Sequence, residues 1–287
     1  MGEHIIMCCG ARVRIVDDNI EVLDEPRVGC CPLMRKLYAI EKIDRKIVEK
    51  LVRLKIDKFG ICTANRVFDA ELWVPYGASE MIKICMKQGL FDASVIVCDG
   101  AGTVIVSNAD LVQAIGARLT GIVKTSPIRE IINYISQNGG VLLDEKSAKI
   151  DQVSGVLKAI ELGYRKIAVT VAGFNASQIP QIRDLEREYE VEVAIFSVCN
   201  TCVTESDIKY LEQADLVWAS ASKIIREKIG KKAVIQLGVG IPVFVLTRKG
   251  KEAVFTYLTS FKDQLVIFRR KLPYIVEEKT PKLRTDI

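Results

Sequence analysis

The sequence predicts an α/β protein with a mostly parallel sheet and helices on both faces, plus a small N-terminal hairpin and helical segment. Three observations predict this fold. Short, continuous apolar runs recur along the chain, amphipathic segments of helical period separate most of them, and capping residues precede several of those segments. Continuous apolar strands between helices are typical of a parallel sheet covered on both faces. A chain of 287 residues can bury such a core without disulfides or structural metals.

The N-terminal region, residues 1–77, is predicted to be a hairpin, cysteine-bearing loops and a helix packed on the main domain. Apolar and polar residues alternate on both sides of residues 17–19, which predicts the hairpin. Pro32 follows two cysteines and is excluded from a helix interior, so those cysteines are predicted to lie in a loop. Apolar residues of helical period then recur from Ile43 to Leu54.

Residues 78–261 are predicted to form an α/β, Rossmann-like domain, and residues 262–287 a C-terminal tail. Right-handed crossovers bring the strand-to-helix loops to one edge of the sheet, where ligands bind in open α/β sheets. The tail is apolar, then basic, then polar, and is predicted either to pack or to serve a partner. The predicted strands are 93–97, 121–124, 141–143, 166–171, 193–198, 216–219, 233–237 and 242–246, and predicted helices include 79–87, 108–118, 127–136, 152–162 and 205–213.

Charge and hydropathy exclude some function classes. The 41 Lys and Arg residues exceed the 36 Asp and Glu residues by a formal charge of +5. This mild excess is spread along the chain, whereas a nucleic-acid binder concentrates it on one face with aromatic residues. No apolar run reaches the roughly 18 residues of a membrane span. We therefore expect neither a nucleic-acid nor a membrane partner.

The residue types available limit the chemistry. The N-terminus lacks a secretory pattern, so a cytoplasmic, reducing location is expected. There, nine cysteines favour metal binding, redox work or packing over a disulfide framework. His4 is the single histidine, which excludes histidine-rich metal sites and most histidine-based triads. Acid–base chemistry would then fall to carboxylates, lysines or thiols.

The end of the apolar run at 95–97 carries the richest set of candidate residues. Gly100, Gly102 and Thr103 follow it, and glycine amides near a helix start can hold a phosphate or carboxylate. A tight turn of small packing residues explains the same pattern. Cys98 and Asp99 stand where catalytic groups often project, as a nucleophile or a base, although buried cysteines are also common in cores.

A second candidate anion loop is Lys124, Thr125 and Ser126, which joins a predicted strand to a predicted helix. Pro127 fits the first position of that helix. The three side chains could bind an anion, or they could only cap the helix. They complete the predicted cofactor-binding set.

Cysteines in irregular segments predict a metal site. Cys31, Cys62 and Cys98 could supply three thiolates to an iron–sulfur cluster, or ligands to zinc, if folding brings their loops together. Cys199 and Cys202 form a C-x-x-C pair that could exchange disulfides or bind a soft metal. A zinc site at that pair would need two more ligands, so an ordinary loop position also explains it.

Several of these segments resemble a known family, methanogenesis marker protein 8, over most of residues 1–250. The resemblance implies an archaeal protein linked to methane metabolism, without implying a particular reaction. Where some relatives carry a second cysteine, this chain has Ala101, which leaves Cys31, Cys62 and Cys98 as the thiol set. The resembling stretches are CPL at 31–33, FGICT at 59–63, VIVCDGAGTV at 95–104, LVQAIG at 111–116, GIVKTSPI at 121–128, AKIDQV at 148–153 and KIAVTV at 166–171.

Three hypotheses for function follow. The first is an accessory protein of archaeal methane metabolism that binds a metal centre or an anionic cofactor at the strand carboxyl ends. The second is an enzyme that acts on a phosphorylated or carboxylated small molecule through Cys98 or Asp99. The third is a non-catalytic scaffold whose cysteines pack and whose basic tail docks on a protein partner. Each is compatible with an oligomer.

Overall fold

The computed structural model of the chain describes residues 2–17, 19–72, 75–262 and 264–285. Its strands are β1 (Glu3–Cys8), β2 (Ala11–Val16), β3 (Asn19–Val22), β4 (Val28–Cys30), β5 (Ala93–Cys98), β6 (Gly102–Val106), β7 (Gly121–Lys124), β8 (Gly140–Leu142), β9 (Lys166–Ala172), β10 (Glu192–Val198), β11 (Leu216–Trp218), β12 (Ile235–Leu237), β13 (Val243–Val245) and β14 (Lys282–Leu283). Its α-helices are α1 (Pro32–Tyr38), α2 (Arg45–Phe59), α3 (Ala78–Lys87), α4 (Ala109–Gly116), α5 (Arg129–Gln137), α6 (Gln152–Glu161), α7 (Ile179–Glu188), α8 (Ile208–Leu211) and α9 (Arg248–Leu258).

The main sheet of the described residues has the strand order β12-β13-β11-β10-β9-β5-β6-β8. The central strands β11, β10, β9 and β5 pair in parallel, while β6 and β13 run against their neighbours. The predicted α/β class is therefore confirmed, with antiparallel strands added on both sides of a parallel centre.

Helices cover both faces of this sheet, as predicted. Successive strand residues point to opposite faces, so Val95 packs in the core beneath α6 and α7. Its neighbour Ile96 packs in the core beneath α3, α4 and α9. Ile167, Val169 and Val171 of β9 are buried against one face and Ala168 against the other. This continuous burial is the pattern that made the strand predictable.

The N-terminal hairpin is also confirmed, since β2 pairs antiparallel with β3; Asp18 of its predicted turn lies outside the described residues. The prediction for residues 121–124 was incomplete. They form a strand, but β7 pairs with β1 in the order β3-β2-β1-β7 and not with the main sheet. Val123 and Lys124 are exposed, so this strand could not be covered on both faces as a central strand must be.

The segment after β5 corrects a second expectation. No strand is predicted between residues 97 and 121, but residues 102–106 form β6, and Cys98 pairs with Gly102 across a tight turn. All five residues of β6 are buried. The next helix begins only at Ala109, at the far end of β6, where Asn108 caps it by accepting from the Asp110 and Leu111 amides. Its N-terminus therefore adds no positive charge at the β5–β6 turn.

Part of the C-terminal tail packs. In it, β14 pairs with β4 of the N-terminal region, and the Tyr274 amide donates to Gln236 Oε1 at 2.9 Å. Residues 264–271 instead have no regular secondary structure and are exposed. The predicted boundaries near residues 77 and 261 stay predictions.

Candidate ligand-binding site

The predicted catalytic residues lie at the β5–β6 turn, and both are completely buried. Asp99 Oδ2 accepts from the Cys62 amide at 2.6 Å, and Asp99 Oδ1 accepts from Arg66 Nε at 3.1 Å. Arg66 Nη2 donates in turn to the Ile115 carbonyl at 3.0 Å. Both members of this buried ion pair therefore have further hydrogen-bonding partners, as buried charges require. It ties the loop after α2 to the end of β5.

The Cys98 thiol is poorly suited to nucleophilic attack in this position. Burial raises its pKa well above the usual range, and the Asp99 carboxylate raises it further, against an opposing effect of Arg66. The thiolate is the reactive form of cysteine. The thiol also donates to the Asp99 carbonyl at 3.3 Å.

The amides predicted to hold an anion are bonded to protein groups. Gly100 N donates to Thr125 Oγ1 at 2.7 Å, and Thr103 N donates to the Lys149 carbonyl at 2.9 Å. Gly102 has a φ of +72°, and a Cβ atom there would stand 2.2 Å from the Ala148 carbonyl oxygen. The structure thus brings Gly100 and Thr125 together, but in a filled junction.

The second predicted anion loop contacts β1. Thr125 Oγ1 lies 2.7 Å from Nδ1 of His4, whose pKa is lowered by burial against an opposing effect of Asp99. Lys124 forms an ion pair with Glu3, and Ser126 Oγ accepts from the Glu3 amide at 2.9 Å. Lys124 and Ser126 thus bind β1, and Thr125 links β1 to the β5–β6 turn through His4 and Gly100.

The three predicted metal ligands are only partly brought together. The bond from the Cys62 amide to Asp99 places Cys62 beside Cys98, and burial raises the pKa of both thiols. Cys31 lies at the start of α1 and packs on the N-terminal core. Within the described residues, no group of three or more His, Cys, Asp and Glu side chains is placed to hold a metal ion. The iron–sulfur or zinc site at Cys31, Cys62 and Cys98 stays a prediction.

A cavity of about 290 Å³ lies beside this turn, at the carboxyl ends of the parallel strands. The cavity is lined by Val97 of β5, Ala172 of β9 and Val198 of β10. Cys199, directly after β10, and Ser220, shortly after β11, also line it. The chain leaves β5 towards β6 and β8 on one side and returns to β9 on the other. The gap between β5 and β9 is thus the topological switch point, where open α/β sheets bind ligands.

The polar groups of the cavity carry no net charge. None of its lining residues among those that the structure describes is Asp, Glu, Lys or Arg. Gln152 is held rigidly, since its Oε1 accepts from Thr103 Oγ1 at 2.8 Å and its Nε2 donates to the Thr170 carbonyl at 2.6 Å. Ser79 and Asn175 line the cavity with side chains that make no hydrogen bond to the described residues. They are free to bond a ligand.

The backbone at the cavity is strained at two positions. Cys199 and Ser220 have φ values of 55° and 50°, in the left-handed region that L side chains rarely adopt. Each such residue costs about 1–3 kcal/mol, and such residues cluster at ligand sites. Burial raises the pKa of the Cys199 thiol to about 11, against an opposing effect of Lys55.

Most of the residues that line this cavity were not predicted from the sequence. Cys199 was recognised as part of the C-x-x-C pair, but Gln152, Thr170 and Asn175 were not singled out. The strand β6 was not predicted from the sequence. Without the β5–β6 hairpin, the sequence gives no indication that the strand order reverses beside β5. With that strand recognised, the ends of β5 and β9 become the expected ligand site.

Comparison with known proteins shows the family. Residues 4–259 match the family of uncharacterized proteins conserved in archaea, DUF2099, and the chain belongs to it. It is 38% identical to an uncharacterized protein of Methanocaldococcus jannaschii over 284 residues, which cover 98% of this chain and 99% of that protein. Among the described residues, no helix has the length and apolar character needed to cross a membrane.

Proposed function

We propose that this archaeal protein is a cytoplasmic accessory protein of methane metabolism that binds the uncharged moiety of a small organic cofactor at the carboxyl ends of β5, β9 and β10. The observation that carries the proposal is the switch-point cavity with uncharged walls. Its volume is at the lower end of the roughly 300–1,000 Å³ of small-molecule sites. The link to methane metabolism rests on the resemblance to methanogenesis marker protein 8.

The wall chemistry supports the choice of ligand. An ionised group would lose its hydration in the cavity without gaining a charged partner there, which is costly. An uncharged ring or short chain would bury apolar surface and use Ser79 and Asn175 for direction. Any anionic part of the cofactor would remain outside. Cys98 and Asp99 do not line the cavity, and we assign them no catalytic step.

Filling the cavity tests this function. The protein is incubated with the small-molecule extract of a methane-metabolising archaeon, and retained masses are measured by native mass spectrometry. Wild type should retain a defined small molecule, and Ala172→Leu should lose it because the longer side chain occupies the cavity. Ala64→Leu, an exposed position away from the cavity, is the matched control and should retain it. Retention by Ala172→Leu, or none by wild type, would contradict the proposal.

We propose as a second function that the tail docks on a protein partner. Val266, Ile267 and Phe268 are 86%, 80% and 58% exposed. Exposed apolar residues that adjoin one another often mark an interaction site. Arg269, Arg270 and Lys271 follow directly, so the partner should offer an apolar groove edged by acidic residues.

Site-specific crosslinking tests the docking. A photoreactive residue at position 267 is irradiated in archaeal extract, and the crosslinked peptides are sequenced. Crosslinks to one protein, at apolar residues flanked by Asp or Glu, should disappear with Arg269→Glu/Arg270→Glu and persist with the exposed control Lys251→Glu. Crosslinks spread over many proteins, or unaffected by the charge reversal, would refute the docking. Crosslinks to a second copy of this chain would identify a self-association site instead.

A further inference from the structure

The turn between β1 and β2 carries two adjacent cysteines that the cavity does not use. Cys8 ends β1 and is buried, while Cys9 is half-buried in the turn with a φ of 51°. Their Sγ atoms are 4.0 Å apart. Cys202 Sγ donates to the Gly10 carbonyl of the same turn at 3.4 Å, which holds the turn against the segment after β10.

This spacing is unsuitable for a disulfide. Adjacent Cα atoms are about 3.8 Å apart across a trans peptide, whereas disulfides usually join Cα atoms about 4.4–6.8 Å apart. The two sulfurs would also have to close from 4.0 Å to about 2.05 Å. A bridging ion requires no such closure, because two metal–sulfur bonds of about 2.3 Å span this distance at an angle of about 120°.

We propose that Cys8 and Cys9 form a two-thiolate site for a soft ion of low coordination number, of the chemical class of Cu(I). Thiolates select Cu(I), zinc and iron–sulfur clusters among biological metals. Zinc and iron–sulfur clusters usually need four protein ligands. Cys31 packs in the same N-terminal core, but no third side chain completes a metal-binding group within the described ranges. An ion that accepts two protein ligands and one thiol from solution fits this pair best.

The binding step is a simple exchange. Each thiol releases its proton to solvent as its sulfur–copper bond forms, and copper stays in the +1 state, so no electron donor or acceptor is needed. The half-buried Cys9 is the side chain through which the ion would enter. The site is separate from the cavity, because neither cysteine lines it.

Competition with a chromophoric Cu(I) chelator, under anaerobic conditions and with a small thiol present, tests the site. Wild type should hold one equivalent of Cu(I) against the chelator. Cys9→Ser should lose that equivalent, and so should Cys8→Ser. Cys30→Ser removes another half-buried cysteine of the N-terminal region and should retain the equivalent. Circular dichroism shows whether each variant folds. If Cys8→Ser does not fold because Cys8 is buried, Cys9→Ser still tests the proposal, since Cys9 is only half-buried.

Two results would overturn the proposal. One is a wild-type protein that loses Cu(I) to the chelator, or a folded Cys9→Ser variant that keeps it. The other is an equal loss in Cys30→Ser, which would indicate indiscriminate thiol binding. The cavity variant Ala172→Leu should still hold the ion, so failure of the cavity proposal and failure of this one give different results.

Discussion

The β5–β6 turn and the switch-point cavity lie on two sides of the same strand end, and they use polar groups in opposite ways. At the turn, Asp99, Gly100 and Thr103 direct their hydrogen bonds to protein partners. At the cavity, Ser79 and Asn175 keep side chains free for a ligand. A position at a strand end is therefore not enough to make a site.

The connection after the strand explains the difference. A hairpin returns the chain over the end of β5 and fills the space with its own atoms. A change in strand order separates the connections that follow β5 and β9, which leaves a cavity between the ends of these two strands. Gln152 joins the two regions, because it bonds to Thr103 of the turn and also lines the cavity.

The largest effect that would sharpen this comparison is expected at Asp99. Asp99→Asn keeps the volume but leaves the buried Arg66 guanidinium without its counter-charge. Removal of one partner of a buried ion pair typically costs about 3–5 kcal/mol. Urea denaturation should show a loss of this size in the free energy of unfolding.

A matched control separates this effect from a general loss of charge. Asp57→Asn changes an exposed carboxylate on α2 and should alter stability by no more than about 0.5 kcal/mol. Equal effects in the two variants would mean that the turn is not the filled junction described above. An Asp99→Asn variant that folds at low temperature and still binds the cavity ligand would show that Asp99 has a structural role.

The next effect concerns two glycines with the same backbone conformation. Gly102 and Gly89 have φ values of +72° and +74°, but an added Cβ meets Ala148 at 2.2 Å in the first and nothing within 4 Å in the second. Gly89→Ala should cost about 1–2 kcal/mol through the left-handed conformation alone. Gly102→Ala should cost about 1–3 kcal/mol more through overpacking. Thermal denaturation of both variants measures the difference between their losses of stability. Equal losses would show that the backbone around Gly102 shifts readily to accommodate a methyl group.

Local patterns made much of the fold predictable, but not the location of the cavity. The continuous apolar runs of β5, β9 and β10 and the capped helix α6 follow from sequence period and capping alone. The pairing of β7 with β1 does not, because a short apolar run carries no record of its partner. The residues Gly100 and Gly102 favour an anion loop and a hairpin turn equally. Only the long-range contacts of Gly100 with Thr125 and of Gly102 with Ala148 show that these residues form a turn.

The smallest effect is expected from the cavity thiol at alkaline pH. Burial raises the pKa of Cys199 to about 11 from an ordinary value of 9.0. The folded protein therefore keeps a proton that the unfolded chain releases, and this contribution to stability is complete below about pH 9 and lost as the pH rises to about 11. Its size is on the order of 2 kcal/mol. The stability of wild type relative to Cys199→Ala, measured by urea denaturation under reducing conditions, should fall by that amount between pH 8 and pH 11. A difference that does not change with pH would mean that the cavity is well hydrated at Cys199, and would weaken the case for an uncharged ligand.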